Sequence, residues 1–349
     1  MNEQLLKSTA TYLVQEGKGI LAADESTASA NKRFALVGVE ETEENRRMYR
    51  EILITTPEAR DILSGIIFYD ETFWQSTSDG KSFLEYCNEA GILPGIKVDE
   101  GLVDLPGFPG EKVTKGLDAL PERMAKYRDA GAKFAKWRAV IAIGEGIPTD
   151  NLIGANTFIL ARYARICQEY DIVPIVEPEV LFDGTHTIEE CEAVMVRVYD
   201  MLASFMKEYK VYLPGAILKS SMVLPGKDSG TPLIPADVAE RTVRALHAHI
   251  PHDLGGVVFL SGGQTPTQAF LNLDAIAKKG PHPWGVTFSY SRALQDPVLK
   301  YWAEHRDDVK GAGAKAIFAA QLAIAVDARG GKLETTSLGG DFVSTSQDL

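Results

Sequence analysis

Eight short apolar segments recur along this chain at a spacing that few architectures accommodate. They read Gly19-Ile20-Leu21-Ala22-Ala23, Ile62 to Phe68, Gly95 to Val98, Phe134 to Trp137, Val173 to Val176, Ala216 to Leu218, Val257 to Leu260 and Gly285 to Phe288. Their starts lie roughly 30 to 45 residues apart, the size of a strand followed by a helix. Eight such units have one closed arrangement, the (β/α)8 TIM barrel. The competing open, doubly wound sheet is disfavoured because no dinucleotide-type glycine fingerprint is present. The 349 residues would also fit two average domains, but one large barrel accounts for that length.

The stretches between these segments carry helical periodicity. Leu120, Met124 and Tyr127 share a face within 118–130, as do Ile159, Tyr163 and Ile166 within 151–170. Val194, Val198, Met201, Leu202 and Phe205 do the same within 188–208. A helix over 236–250 stops at Pro251, and the last, over 308–328, stops at Gly330-Gly331. No low-complexity linker divides the chain. Residues 1–331 are expected to form a single catalytic barrel domain, and residues 332–349, polar and without a period, a mobile tail able to fold over a site.

A net charge of −12 disfavours nucleic acid and anionic membrane as partners. It also makes any local cluster of cations informative, since an anionic substrate needs one. The longest apolar stretch, Ala316 to Val326, is broken by Gln321 and is too short to span a bilayer. Residues 1–10 lack the apolar core and cleavage pattern of a secretory signal. Cys87, Cys167 and Cys191 are odd in number, widely spaced and set in helical stretches, so buried reduced thiols in a reducing cytoplasm are expected.

In a barrel enzyme, chemistry sits where the strands end. Here the first ends Asp24-Glu25-Ser26 and the third carries Lys97 followed by Asp99. The fourth runs Lys136-Trp137-Arg138 and the fifth ends Glu177-Pro178-Glu179. The sixth ends at Lys219, the seventh Ser261-Gly262-Gly263, and the eighth runs to Ser289 and Arg292. Strand alternation puts Lys136 and Arg138 on one face, and likewise Glu177 and Glu179. Lys219 closes the apolar run Gly215-Ala216-Ile217-Leu218. Burial disfavours an ammonium, and an amine relieved of its proton is a nucleophile that forms a Schiff base with a ketone.

Taken singly, each residue has a plainer reading. A lysine at a strand end snorkels to water, and Asp24 caps a helix. Lys97 is a surface charge beside Asp99, and Lys136 and Arg138 pair with Glu177 and Glu179 in a structural network. All of these would have to hold at the same end of one barrel.

Ser261-Gly262 after the seventh strand and Arg292 after the eighth stand where such barrels bind phosphate through backbone N–H groups and a helix start. Glycine permits close approach and arginine adds a planar fork of donors. Gly262-Gly263 without Arg292 would be an ordinary tight turn. Pro225-Gly226-Lys227 lacks the upstream glycine spacing of a phosphate-binding loop. His247, His249 and His252 read as charges near a helix C-terminus, with a metal site as the remote alternative. No metal-ligand constellation is evident elsewhere in the sequence.

These segments together resemble the class I, Schiff-base fructose-bisphosphate aldolases. The matching stretches are Gly17 to Ser26, Thr42 to Arg47, Gly95 to Asp99, Phe134 to Arg138, Pro174 to Glu179, Phe259 to Gln264, Phe288 to Tyr290 and Arg292 to Gln295. They cover nearly the whole chain, in order and at strand ends. The resemblance implies a cytoplasmic glycolytic and gluconeogenic lyase. Such an enzyme splits fructose 1,6-bisphosphate reversibly into dihydroxyacetone phosphate and glyceraldehyde 3-phosphate. It uses no metal or cofactor beyond the covalent imine, and many members are tetramers.

The resemblance also implies roles. Lys219 is similar to the Schiff-base lysine and Glu177 to the proton shuttle of carbinolamine formation and dehydration. Asp24 is similar to the carboxylate beside the hydroxyl deprotonated in carbon–carbon cleavage. Lys136 lies by the nucleophile and contacts substrate, and Glu179 supports the lysine network. Lys97, Arg138, Ser26 and Ser29 lie toward the phosphate distant from the ketone; Ser261, Gly262 and Arg292 resemble the site of the ketone-side phosphate.

The chain departs from the family pattern in several places. Lys219-Ser220-Ser221-Met222 stands where Lys-Pro-Asn-Met is usual, Ser291 replaces a glycine beside Arg292, and Thr265-Pro266-Thr267 replaces an acidic continuation. An added side chain at 291 is expected to narrow the phosphate pocket or change its donors. Many relatives end in a tyrosine that assists proton transfer on the enamine. Here the last tyrosine is Tyr301 and the sequence closes Ser346-Gln347-Asp348-Leu349, so that transfer is expected to be slower or to use another group. Two alternatives stay open: an aldolase preferring a ketose monophosphate, and a non-catalytic sugar-phosphate-binding scaffold.

Overall fold

The computed structural model describes residues 1–334. Eight parallel strands close into a barrel in sequential order: β1 (Gly19–Ala23), β2 (Leu63–Phe68), β3 (Leu93–Lys97), β4 (Phe134–Ile141), β5 (Val173–Val180), β6 (Ile217–Ser220), β7 (Gly256–Phe259) and β8 (Val286–Tyr290). β8 pairs back onto β1 through Ile20 opposite Ser289 and Leu21 opposite Tyr290. The expected single (β/α)8 TIM barrel is therefore the observed one.

Alternation along the strands sorts two cores. Leu21, Ala135, Trp137, Val176, Leu218, Val257 and Phe288 face outward into the layer of helices. Ile20, Ala22, Ile67, Phe134, Val173, Ile175, Ile217 and Val258 face inward and pack together. The helix Glu3–Leu13 closes the N-terminal end of this interior with Leu6, Ala10 and Leu13, followed by Val14. The Phe134 ring lies against Gly65 and Gly95, and glycine at 95 makes room for it: a Cβ there would lie 2.3 Å from that ring. Two positions beyond four of these apolar residues, on the same inward face, come Asp24, Lys136, Glu177 and Lys219. The interior thus changes from hydrocarbon to charge along the barrel axis.

Helices fall close to the expected spans: Leu120–Asp129, Asp150–Glu169, Ile188–Glu208, Pro235–His249 and Ala312–Arg329. The helix Ile188–Glu208 begins with a capping box, Thr187 and Glu190 satisfying each other's backbone N–H groups. Three features differ from the sequence expectation. β4 continues past Arg138 to Ile141 and β5 past Glu179 to Val180, because the two strands stay in register to their ends, Arg138 opposite Glu177, Val140 opposite Glu179 and Ile141 opposite Val180. Ile62 ends a short helix, Ala59–Ile62, rather than opening β2. A two-stranded hairpin, Leu102–Asp104 with Lys112–Thr114, lies between β3 and the next helix.

All three cysteines are buried and free. Leu333 is buried and its N–H donates to Asp274 Oδ1 at 3.0 Å; residues 335–349 of the expected tail lie outside the described residues. No helix among the described residues is long and apolar enough to cross a membrane.

Candidate active site

Four side chains from four strand ends meet at the C-terminal mouth. Lys136 Nζ, on β4, lies 2.7 Å from Asp24 Oδ2 just beyond β1 and 2.9 Å from Glu177 Oε2 on β5. The other oxygen of Glu177, Oε1, lies 3.0 Å from Lys219 Nζ on β6. Lys136 and Glu177 are each 3% exposed and Lys219 4%. Two ammonium carriers thus share one carboxylate, one per oxygen, and the second carboxylate serves only Lys136.

Burial opposes the charge on Asp24, but Lys136, Lys219 and Lys97 together outweigh it and hold the carboxyl well below the usual range. Burial likewise opposes the Lys136 ammonium, and Asp24, Glu177 and Asp99 reverse the balance and raise its pKa strongly. Glu177 is held below its ordinary value by Lys136 and Lys219 despite its burial. Asp24 and Lys136 are therefore fixed in their charged forms beside the β6 lysine.

Further charged side chains surround this group. Arg138 Nε is ion-paired with Glu179 Oε2. Lys97 Nζ lies 3.5 Å from Asp99, which also accepts the Arg138 backbone N–H at 3.3 Å. The helix cap that Asp24 would supply on the plainer reading is supplied by Ser26, whose hydroxyl accepts the Ser29 N–H at 3.3 Å; the two serine hydroxyls are 3.1 Å apart. Asp24 is thereby left free to face the barrel.

The residues expected to bind phosphate also meet at this rim. Ser261 is buried, and its Oγ accepts the Ala293 N–H at 3.4 Å from the start of the helix Arg292–Glu304. A Cβ at Gly262 would stand 2.7 Å from Glu179 Oε1 and 3.4 Å from Arg292 Nη2, so only glycine lets this turn lie between them. Arg292 is exposed. Ser289 Oγ is buried and has no hydrogen-bond partner among the described residues.

The departures from the family pattern are absorbed locally. Ser220 Oγ pairs with Tyr199 Oη at 2.7 Å, and Ser221 Oγ donates to the Val180 carbonyl at 2.8 Å. Thr265 begins the helix Pro266–Ala277 with a capping box to Gln268. Ser291 donates to Glu25 Oε1 at 2.6 Å.

Glu25 is the residue that sequence reasoning passed over. Burial raises its pKa, but Arg50 and Arg33 outweigh that and keep it ionised. It joins the end of β1 to two helices and the β8 loop. Its only sequence signal is its place next to Asp24, because its cationic partners lie in separate helices.

His247 and His249 both lie in the last helical turn, as expected, and His249 Nδ1 is 2.7 Å from Asp200 Oδ1. Burial and the neighbouring His252 lower the pKa of His247, and its Nε2 lies 3.1 Å from Nδ1 of His282, which the sequence cluster did not include. Among the described residues no group of three or more His, Cys, Asp or Glu side chains is arranged to hold a metal ion.

Comparison with known proteins agrees with this geometry. The family model described as fructose-bisphosphate aldolase class-I matches residues 5–345. The Arabidopsis thaliana protein named fructose-bisphosphate aldolase 4, cytosolic, is 51% identical over 305 residues, 87% of this chain and 78% of that one. A probable fructose-bisphosphate aldolase class 1 of Xanthomonas axonopodis pv. citri is 50% identical over 316 residues, 90% of this chain and 94% of that one. The solved structure of fructose-bisphosphate aldolase from Plasmodium falciparum superposes with a TM-score of 0.93 at 45% identity, covering 95% of this chain and 96% of that one.

Proposed function

Because the chain belongs to the class-I fructose-bisphosphate aldolase family, we propose that Lys219, Glu177, Asp24 and Lys136 carry its reaction. That reaction is the reversible cleavage of fructose 1,6-bisphosphate into dihydroxyacetone phosphate and glyceraldehyde 3-phosphate through a lysine Schiff base. The observation that carries the assignment is the Glu177 carboxylate, with Lys219 at 3.0 Å on one oxygen and Lys136 at 2.9 Å on the other.

The steps follow from these positions. Glu177 takes a proton from Lys219, and the amine attacks the substrate ketone to give a carbinolamine. Glu177 returns the proton to the leaving hydroxyl, water departs, and a protonated imine remains. Asp24, anionic because of its lysines, removes the proton of the hydroxyl on the far side of the scissile bond. The carbon–carbon bond breaks, its electron pair moves into the imine to form an enamine, and the aldehyde leaves. Protonation of the enamine and hydrolysis of the imine release the second product and restore Lys219. The Lys136 ammonium stays beside the reacting oxygens, where positive charge is most effective in a dry site. The imine is the electron sink, so the reaction requires no metal and no cofactor.

Ser261, Gly262 and Arg292 bind the ketone-side phosphate. Lys97, Arg138, Ser26 and Ser29 face the other phosphate, and Glu179 keeps Arg138 in place. Cytosolic names among the relatives support a cytoplasmic location, and the homo-oligomer expected of the family would be read from solution mass by light scattering.

Borohydride reduction in the presence of the bisphosphate should fix a product-sized adduct on Lys219, located by peptide mass spectrometry. Cleavage should survive a strong chelator and disappear in Lys219→Ala. Full activity in that variant would refute the assignment.

A further inference from the structure

Ser291 occupies the position that begins the helix Arg292–Glu304, yet its side chain does not cap that helix. A serine there ordinarily accepts a backbone N–H from the first turn. Instead its hydroxyl turns away and donates to Glu25 Oε1 at 2.6 Å. The same hydroxyl accepts from Gln295 Nε2 at 3.2 Å, one helical turn on. Glu25 is itself held by Arg33, by Arg50 Nη2 at 2.5 Å, and by Gln295 Nε2 at 3.1 Å. The Glu25 side chain is 12% exposed, so the bond forms where water competes poorly and involves an ionised acceptor.

Two consequences converge on the neighbouring Arg292. The first N–H groups of a helix have no intrahelical acceptor; the Ser291 hydroxyl takes none of them, and the Ala293 N–H goes instead to Ser261 Oγ at 3.4 Å, which ties the helix start to the other residue of the expected phosphate site. The Ser291 hydroxyl also pins the start of the helix to the end of β1, whose Asp24 is the preceding residue. We infer that Ser291 is a positioning residue for the ketone-side phosphate: by bonding Glu25 rather than its own helix, it fixes Arg292 and the start of its helix, held on its other side by Ser261, in the phosphate-binding arrangement. This rests on the function proposed above and adds the residue that sets the register of its anion clamp. Ser291 acts through Glu25 and Arg292 and need not touch substrate.

The test compares Ser291→Ala, Ser291→Gly and Ser291→Thr with the full-length wild type. It measures steady-state cleavage of the bisphosphate and competitive inhibition by inorganic phosphate. Ser291→Ala should raise KM and weaken phosphate inhibition by about fivefold or more, as expected on losing a hydrogen bond to a charged group, with kcat within about twofold. Ser291→Thr, which keeps the hydroxyl, should restore both constants. Should Ser291→Ala prove insoluble, Ser291→Gly removes the same hydroxyl and carries the comparison. Unchanged KM and phosphate inhibition in the alanine or glycine variant would overturn the inference, as would a threonine variant no better than alanine. A wild type that neither cleaves the bisphosphate nor traps it on Lys219 would instead overturn the function on which the inference rests.

Discussion

Lys219 Nζ stands 3.0 Å from Glu177 Oε1, one position beyond the register pair of Val176 with Leu218 on adjacent strands. The two side chains meet because parallel neighbours point residues of matching register to the same side. Moving either strand by one residue would turn its member of the pair into the helical layer.

That contact makes Glu177→Gln informative. An amide cannot relay a proton, although it nearly preserves the shape. The expected loss in kcat is about 10²- to 10⁴-fold, with a smaller change in KM. Borohydride trapping should still find Lys219 after longer incubation. A kcat within tenfold of wild type would remove Glu177 from the proton path.

Asp24 predicts a pH dependence of stability. Its carboxyl is depressed in the folded protein by Lys136, Lys219 and Lys97 acting against burial. The unfolded chain therefore binds the proton first as pH falls below the ordinary value of about 3.9. The stabilisation is present above that pH and is lost progressively toward the lower folded value. Asp24→Asn should flatten the dependence of melting temperature on pH between about 5 and 3. A slope equal to wild type would contradict the charge arrangement.

The cysteines should be silent in the native enzyme. Burial pushes the Cys87 and Cys191 thiols up to about 12 and raises Cys167 as well. A colourimetric thiol reagent at pH 8 should label none in the folded protein and all three after denaturation. Rapid native labelling would show that these helices open readily.

Gly95→Ala tests the packing of the barrel interior. The added methyl would meet the Phe134 ring at 2.3 Å and should cost about 1–3 kcal/mol in urea denaturation. Combining it with Phe134→Leu should recover part of the loss. An additive double variant would mean that the ring moves aside freely.

The barrel was legible because its strands are short apolar runs at a regular interval, and Ile188–Glu208 because one face carries Val194, Val198 and Leu202 while Thr187 and Glu190 mark its start. The end of β4 was not: Lys136 and Arg138 look like the close of a strand when apolar runs are the guide, whereas the strand carries on through Ala139, Val140 and Ile141. The helix Glu3–Leu13 was missed for the opposite reason: Glu3, Gln4 and Lys7 obscure the few residues that close the barrel floor. At the site, each strand-end residue was visible singly. The partners of Glu25 were not, because it meets Arg50 and Ser291 only through tertiary folding. The shift of His247 likewise depends on burial that no local pattern records.

The hydroxyl of Ser291 and the carboxylate of Glu25 are separated by 266 positions in the chain, yet they adjoin where the last strand meets the first. Near that seam, Thr287 Oγ1 donates to the Lys18 carbonyl and Tyr49 Oη to that of Gln295. A ribosome releasing this polypeptide will have delivered Asp24 long before the segment that completes its surroundings. Closure of the cylinder is thus the event that turns a nascent chain into a competent catalyst, and contacts so remote in sequence make that event a slow one.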